Sequence, residues 1–495
     1  MKKFLAMLLC LSMLVCMVPL VATAEETTPS GTAINNENGL SAITGSGDFY
    51  LTEDIYVDIS NLNSALIADG FSGTLDGNGH SILFKSSTNE AKNKPASTSL
   101  EGIIFKVCKA KKIKNLTIGS LDAIPTVTSS AANFGILAKE ITGAATVFEN
   151  VTVYGDITTT RVGANNVALF AAKTAHQVKF YNCKAIGSIT TGVANKDVKY
   201  FGGFIGRFVP VAAAKMTLTV NDSLSMVEIT GTKTNFVGFN STYAGGFLGG
   251  ISEGENDNTK RIADAFSISN SISYYVPQLY SDGANLVNNR GAFYGGVSGA
   301  NALLSGTTTF TVTDCMTLDT LVTDLSFATA NDASVRFNAP TGIRFYNTIS
   351  AKAFDTLVNA FGEDNVTMGT IIAPAILVQN AGAFTKEALD NLNSQSPTYL
   401  DVAFGGEWFE TENGTNTYVG SIVNILEDNY DLGYCGIGYI TFNDGTGTKT
   451  VYANYGEQGI PAFTVRSLAE AVMADPNASE AEKAAVAKYL GTSEQ

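Results

Sequence analysis

Histidine and tryptophan are nearly missing: 2 His and 1 Trp occur in 495 residues. The two histidines, His80 and His176, stand too far apart in sequence for an H-E-x-x-H helix, and no C-x-x-C pair is present, so the usual zinc-binding patterns are excluded. No G-x-S-x-G segment sits at a strand-to-helix elbow, which removes the nucleophile of an α/β-hydrolase. The glycine-rich segments lack the Lys-Ser/Thr ending of a phosphate-cradling loop. Charged residues make up 16% of the chain, with 46 acids against 31 bases, a balance that repels nucleic acid and anionic lipid. Beyond about Val21 no apolar run is long enough to span a bilayer, so no membrane insertion is expected of the mature chain. No cofactor motif is recognisable.

What is present begins with Lys2, Lys3 and an unbroken apolar run from Phe4, closed by Ala22-Thr23-Ala24. This is the pattern of a secretory signal over residues 1–24, and it places the protein outside the cell, secreted or at the cell surface. Removing it takes the formal charge from −15 to −17, because Lys2 and Lys3 are lost with no acid. Four widely spaced cysteines then remain, Cys108, Cys183, Cys315 and Cys435. Each lies in an apolar or strand-like context, so buried free thiols are expected rather than disulfides.

The middle of the chain repeats irregularly. A glycine and aromatic segment recurs as LEGIIF from Leu100, NFGILA from Asn133, VALFAA from Val167, FGGFIGRF from Phe201, AGGFLGG from Ala244 and GAFYGG from Gly291. Each precedes a strand-like segment with a central Asn or Asp, taken as Asn115, Asn150, Asn182, Asn221, Asn270 and Asp314. Alternation has period two and breaks at glycines, the mark of short strands and tight bends. Glycine is expected at the bends for its tolerance of positive φ, and asparagine at one corner for bonding the turns above and below. The pattern predicts a mainly β chain, a right-handed parallel β-helix over residues 25–322 with insertions projecting from it.

Near Thr323 the texture changes, and residues 323–495 read as a smaller α+β domain. AFDTLVNAFGEDN and FTKEALDNLNS read as helices, VTMGTIIAPAILV as a strand. YVGSIVNI, GYCGIGYITF and TKTVYANY are further strands. Two helices, FTVRSLAEAVMAD and SEAEKAAVAKYLG, finish the chain, the second with a Ser479/Glu482 capping box.

The stretch Phe71–Ile82, FSGTLDGNGHSI, holds one of the two histidines beside Asp76 and Asn78. It reads as geometry rather than chemistry. Phe71, Leu75 and Ile82 alternate inward, Gly73, Gly77 and Gly79 bend the chain, and Asp76 and Asn78 bond the turn. His80 is left outward with no second ligand, and His176 likewise.

With these repeats laid out, the region from about Gly31 to Val322 resembles the pectin-lyase-like right-handed β-helix family. GGFIGRF followed by YNCKAIGSI is similar to the GLUG repeats of bacterial surface proteins. The last part, with APTGIRFYNTIS and GTIIAPAILV, resembles a domain recurrent at the ends of exported proteins of Gram-positive gut anaerobes. The resemblance implies a fold and not a function, since proteins of this fold include polysaccharide lyases and hydrolases. Lyases of that kind need acidic calcium ligands and a base, and hydrolases need closely placed aspartates. Here the repeated positions are mostly neutral, and Asp156, Asp222, Asp314, Arg161, Arg207 and Arg290 stand singly in sequence.

Binding is therefore the expected role. The sequence candidates for recognition are Trp408, Phe409 and Tyr418 around a polar Gly-rich loop, and Tyr274 and Tyr275 on a loop projecting between coils. No catalytic, metal or cofactor-binding residue is nominated. The expectation is a non-enzymatic adhesin-like or scaffold protein meeting host or dietary glycans, glycoproteins or cell-envelope components. A lyase or hydrolase of acidic glycans and a passive structural stalk are the alternatives.

Overall fold

The computed structural model describes residues 29–67, 69–86, 88–191, 199–209, 217–231, 242–252, 265–282, 285–286, 290–296, 309–392, 399–455 and 459–491. The expected signal segment 1–24 lies outside them. The fold is mainly β, with short strands stacked in parallel into a long sheet consistent with a β-solenoid, and among the described residues no barrel closes.

The first sheet runs along the stack from Thr32–Ile34 to Thr309–Thr313, each rung pairing in parallel with the next. Two further parallel sheets come from the glycine and aromatic segments. One is built from Asn133–Gly135, Asn165–Ala168, Lys199–Gly202, Thr242–Gly245 and Arg290–Gly291, the other from Phe105–Cys108, Ala138–Ile141, Ala171–Thr174, Ile205–Phe208 and Leu248–Ile251. The four middle repeat segments thus contribute two strands each with a bend between them, and the first and last contribute one strand and an isolated bridge.

Inward aromatics stack from rung to rung. Phe170 and Phe204 lie 4.7 Å apart at 11°, and Phe204 and Phe247 follow at 4.8 Å. The first hydrophobic core is this interior, and Phe71, Leu75 and Ile82 are fully buried in it.

The corner residue is the most regular feature. Asn78, Asn115, Asn150, Asn182, Asp222, Asn270 and Asp314 all have φ between 47° and 53° or close to it, the left-handed region that Asn and Asp tolerate best. The fifth corner is Asp222 and not Asn221, because Tyr181 pairs with Asn221 and so Asn182 with the residue after it. Side chains link the rungs: Asn150 Nδ2 donates to Asn115 Oδ1 at 3.2 Å, and Asn182 Nδ2 to Asn150 Oδ1 at 3.4 Å. The glycines at the other bend serve a different purpose from the one expected. Gly202 needs no positive φ; a Cβ there would sit 2.0 Å from the Ile205 carbonyl oxygen and 2.8 Å from the Gly249 nitrogen.

Beyond Met316–Thr317 parallel stacking gives way to two four-stranded antiparallel sheets. One orders Ala328–Val335, Gly342–Ser350, Thr415–Val423 and Glu410–Glu412; the other orders Leu400–Ala403, Val366–Pro374, Tyr434–Asn443 and Thr448–Tyr452. Helices Ala351–Phe361, Lys386–Leu392, Val465–Ala474 and Glu480–Ala487 stand where the periodicity places them, and the Ser479/Glu482 capping box is formed. One boundary differs. The strand of VTMGTIIAPAILV ends at Pro374, and Ala375–Ala381 is helical, because Pro374 is set in extended backbone ahead of a run whose Leu377 and Val378 pack back on the core.

This C-terminal part is packed against the stack. In the outward row Ser81, Thr117, Thr152, Lys184, Leu224, Ile272, Met316 the residues turn from polar to apolar over the last rungs. Leu224, Met226, Ile272, Tyr274 and Met316 form one buried cluster with Leu357, Phe361, Ile440 and Phe442.

All four cysteines are free thiols. Burial pushes Cys108 and Cys183 up to about 12, and Cys315 and Cys435 to about 11. At pH 8 the folded protein should react slowly with a thiol reagent, Cys315 first because it is the least covered. Unfolding should release all four, and a reductant should leave the melting temperature unchanged.

Candidate functional site

The outward faces of the stack were the natural place for an enzyme site, and parallel register decides what they carry. On the first sheet one row reads Thr74, Lys112, Val147, Lys179, Thr219, Ser267, Thr311, and the row beside it Asp76, Lys114, Glu149, Tyr181, Asn221, Ser269, Thr313. The early charges are matched. Lys112 Nζ lies 2.6 Å from Glu149 Oε2, and Lys114 Nζ 2.9 Å from Asp76 Oδ2. The later rungs are Ser, Thr and Asn. Asp156 and Glu228 share a row further along the same sheet but are separated by the Ser188 rung, whose hydroxyl donates to Asp156 Oδ1 at 2.7 Å. Among the described residues no group of three or more His, Cys, Asp and Glu is gathered as a metal ion would need.

In FSGTLDGNGHSI only Gly79 takes a positive φ, whereas Gly73 and Gly77 stand where the backbones of neighbouring rungs come too close for a Cβ. Asp76 Oδ1 accepts the Asn78 backbone N–H at 2.9 Å and the Asn115 side chain at 3.2 Å. Burial would raise the Asp76 carboxyl, yet the hydrogen bonds from Lys114, Asn78 and Asn115 outweigh it and hold the group below its ordinary range. His80 faces outward, with Nδ1 3.8 Å from Asp54 on the preceding rung.

The aromatic candidates separate. Tyr418 is 1% exposed, its hydroxyl donating to the Gly369 carbonyl at 2.9 Å between the two sheets, so it presents no ring to solvent. Tyr274 is 5% exposed and does not project between coils: it is the centre of the contact with the C-terminal part, with half-buried Tyr275 packed edge-on at 4.8 Å. Both are corrections, and both follow from the C-terminal part covering this face. Trp408 is half-buried against Phe404 at 4.8 Å and Phe354 at 5.5 Å, an anchor with one open edge. Phe409 alone is well exposed, beside Tyr346 at 5.5 Å.

Another set of tyrosines, not nominated from sequence, comes together on the outer face of the sheet that contains Tyr434–Asn443. Tyr439 sits opposite Tyr452 on one side and Gly369 on the other. A Cβ on Gly369 would lie 2.6 Å from the Tyr439 hydroxyl, so the phenol is laid flat across that strand. Its hydroxyl donates to Asp401 Oδ1 at 2.7 Å on the strand beyond. The Tyr452 hydroxyl donates to Glu387 Oε2 at 2.9 Å and accepts the Lys386 backbone N–H at 2.9 Å. The Tyr399 hydroxyl donates to Asp390 Oδ1 at 2.6 Å, contacts Lys386 Nζ, and its ring has that ammonium 4.8 Å above it.

Burial, and after it the Asp401 carboxylate, raises the Tyr439 phenol; Tyr452 is raised by burial and by Glu387. Tyr399 is raised too, by burial first and then by its hydrogen bond to Asp390, so all three phenols stay neutral donors across the physiological range. The three tyrosines are half-buried, one side packed on the core and the other open. Partly open phenol rings, fixed in orientation and bordered by carboxylate oxygens, suit a ligand with an apolar face and hydroxyl edges, which is the character of a sugar ring. The signal that could have found them was Gly369 within an otherwise bulky strand. Which residues lie across it depends on register, which sequence does not carry.

Comparison with protein-family models, with curated proteins and with solved structures gives no match. Among the described residues no helix is long and apolar enough to cross a membrane.

Proposed function

We propose that the protein is an exported, cell-surface, non-enzymatic adhesin-like or scaffold protein, which offers an elongated surface to glycans or glycoproteins. In this reading the stacked sheets are a right-handed parallel β-helix of the pectin-lyase-like kind with GLUG-like repeats, and the chain from residue 323 is a smaller α+β domain docked on its side. The observation that carries the binding role is the Tyr439, Tyr452 and Tyr399 patch with its fixed carboxylates. Support for a non-enzymatic role comes from the paired or isolated charges on the outward rows. The export signal and the acidic balance fit an extracellular setting.

A glycan array probed with the secreted chain, run beside an assay for unsaturated uronate products, tests this. Binding without product is the expected result; product formation, or no binding on an array of host and plant glycans, overturns it. Tyr439→Ala removes the flat ring and should weaken glycan binding by about tenfold or more while leaving the melting temperature within a few degrees. Tyr439→Phe keeps the ring and should retain most of the affinity.

A further inference from the structure

At the start of the stack the sheets do not begin together. The first sheet already has the rungs Thr32–Ile34 and Phe49–Leu51, whereas the sheet containing Phe105–Cys108 is opened only by the extended segment around Ile67, which pairs in parallel with Phe105. Leu66 and Ile67 donate their backbone N–H groups to Ile103 and Ile104 at 2.9 Å each. Ser41, the last residue of the short helix Glu37–Ser41, stands opposite this segment. The step between cap helix and late-starting sheet leaves an open cleft of about 490 Å³, within the range of about 300–1,000 Å³ typical of small-molecule sites.

The walls have a definite chemistry. Asn63, Ser64 and Ser99 supply amide and hydroxyl groups, and Leu66 and Leu100 supply an apolar floor. The charges on the rim cancel: Glu101 lies 3.6 Å from Lys106 Nζ and 2.7 Å from Lys139 Nζ. Asp69 commits Oδ1 to the Val107 backbone N–H at 3.1 Å, and its Oδ2 accepts no hydrogen bond from a described residue. Among the described residues of the cleft both lysines are paired with Glu101, and a carboxylate ligand must approach a strongly acidic protein, so an anion is disfavoured. A ligand with several hydroxyls, no charge and one apolar face uses every group on the wall.

We propose that this cleft is a binding site for a neutral saccharide of one or two units, with Asp69 accepting hydroxyl protons, Lys106 donating, and Leu66 and Leu100 under the ring. It is separate from the tyrosine patch and does not depend on it.

The test is saturation-transfer NMR and calorimetry on the secreted full chain with maltose, cellobiose and lactose, with galacturonate and glucosamine as charged probes. A neutral disaccharide should bind, galacturonate should not, and both Asp69→Asn and Lys106→Ala should weaken binding by about tenfold while Tyr439→Ala leaves it unchanged. Asp69→Asn keeps an oxygen for the Val107 N–H, and Lys106 is exposed, so both variants should fold with a normal melting curve. The proposal is overturned if no neutral sugar binds, if a charged probe binds better, or if both cleft variants bind as the parent does. Loss with Tyr439→Ala and not with the cleft variants would overturn this site while leaving the glycan-binding role intact.

Discussion

Gly77→Val is expected to cost at least about 3 kcal/mol of stability and to leave much of the chain insoluble or open to protease. Gly77 does not take a positive φ, so the reason is not conformational freedom. A Cβ at this position would lie 2.2 Å from the Asn115 carbonyl oxygen and 2.6 Å from the Leu116 Cα. Both are backbone atoms of the next rung, and they are held in a parallel ladder that includes Leu75 to Ile113 and Asp76 to Lys114. No side chain can swing away to relieve the overlap, so the rungs must separate. Separation breaks the Gly77 N–H to Lys114 carbonyl bond of 2.8 Å and the Asp76 contacts to Asn115 and Lys114. His80→Ala, three residues on, should change stability by less than about 0.5 kcal/mol, because His80 is partly exposed and makes only a 3.8 Å contact to Asp54. Thermal melts of the two variants side by side decide the matter. Equal, small effects would sink the close-approach argument.

The second large effect is expected at Tyr274, where the C-terminal part meets the stack. Its ring packs near Phe361 and Tyr275, and its hydroxyl donates to Asp444 Oδ2 at 2.6 Å. Tyr274→Ala should destabilise by about 3–5 kcal/mol from lost packing, and it leaves a buried carboxylate without one of its donors. Because the contact joins Tyr274 in the stack to residues beyond 321, early protease cleavage between the two is expected, and limited proteolysis followed by mass analysis would detect it.

The same contact has a pH signature. Burial would raise the Asp444 carboxyl, but hydrogen bonds from Thr446 and Tyr274, with Lys449 nearby at 3.7 Å, hold it below its ordinary value. A carboxyl depressed in the folded state stabilises above its unfolded pKa of about 3.9, and that stability is lost as pH falls through the lower folded value. Tyr274→Phe removes one of the depressing hydrogen bonds while keeping the ring. Its acid unfolding midpoint should therefore move to higher pH, with little change in melting temperature slope near neutrality. An unchanged acid midpoint would show that this hydrogen bond does not couple the two parts.

Local features of the fold were legible in the sequence wherever a residue type answers to one physical demand. Left-handed corners call for Asn or Asp, and five of the seven corners with positive φ, all but Asn78 and Asp222, were visible as the repeated Asn or Asp. Period-two alternation marked the inward Phe and Ile residues, and the Ser479/Glu482 pair marked a helix start. The fifth corner was displaced by one because Asn221 and Asp222 are both suited to it, and only the pairing of Asn221 with Tyr181 and Ser269 distinguishes them. Tyr274 and Tyr275 looked like a projecting aromatic patch because a strand shows its alternation but not what covers its outer face.

By itself, then, the sequence determined the β-rich repeating character, the polar corners, the apolar interior and the free thiols. Those follow from residue type and short-range spacing. The tertiary structure alone decided that the outward row ending Leu224, Ile272, Met316 is an internal contact, that Tyr418 and Tyr274 are buried, and that Tyr439 lies across Gly369 to reach Asp401. It also decided that the late start of one sheet leaves the Asp69 and Glu101 cleft beside the cap helix. The physical reason is common to all of these. They depend on which distant rungs stand in register and which faces are covered, and neither is recorded in the neighbours a residue has along the chain.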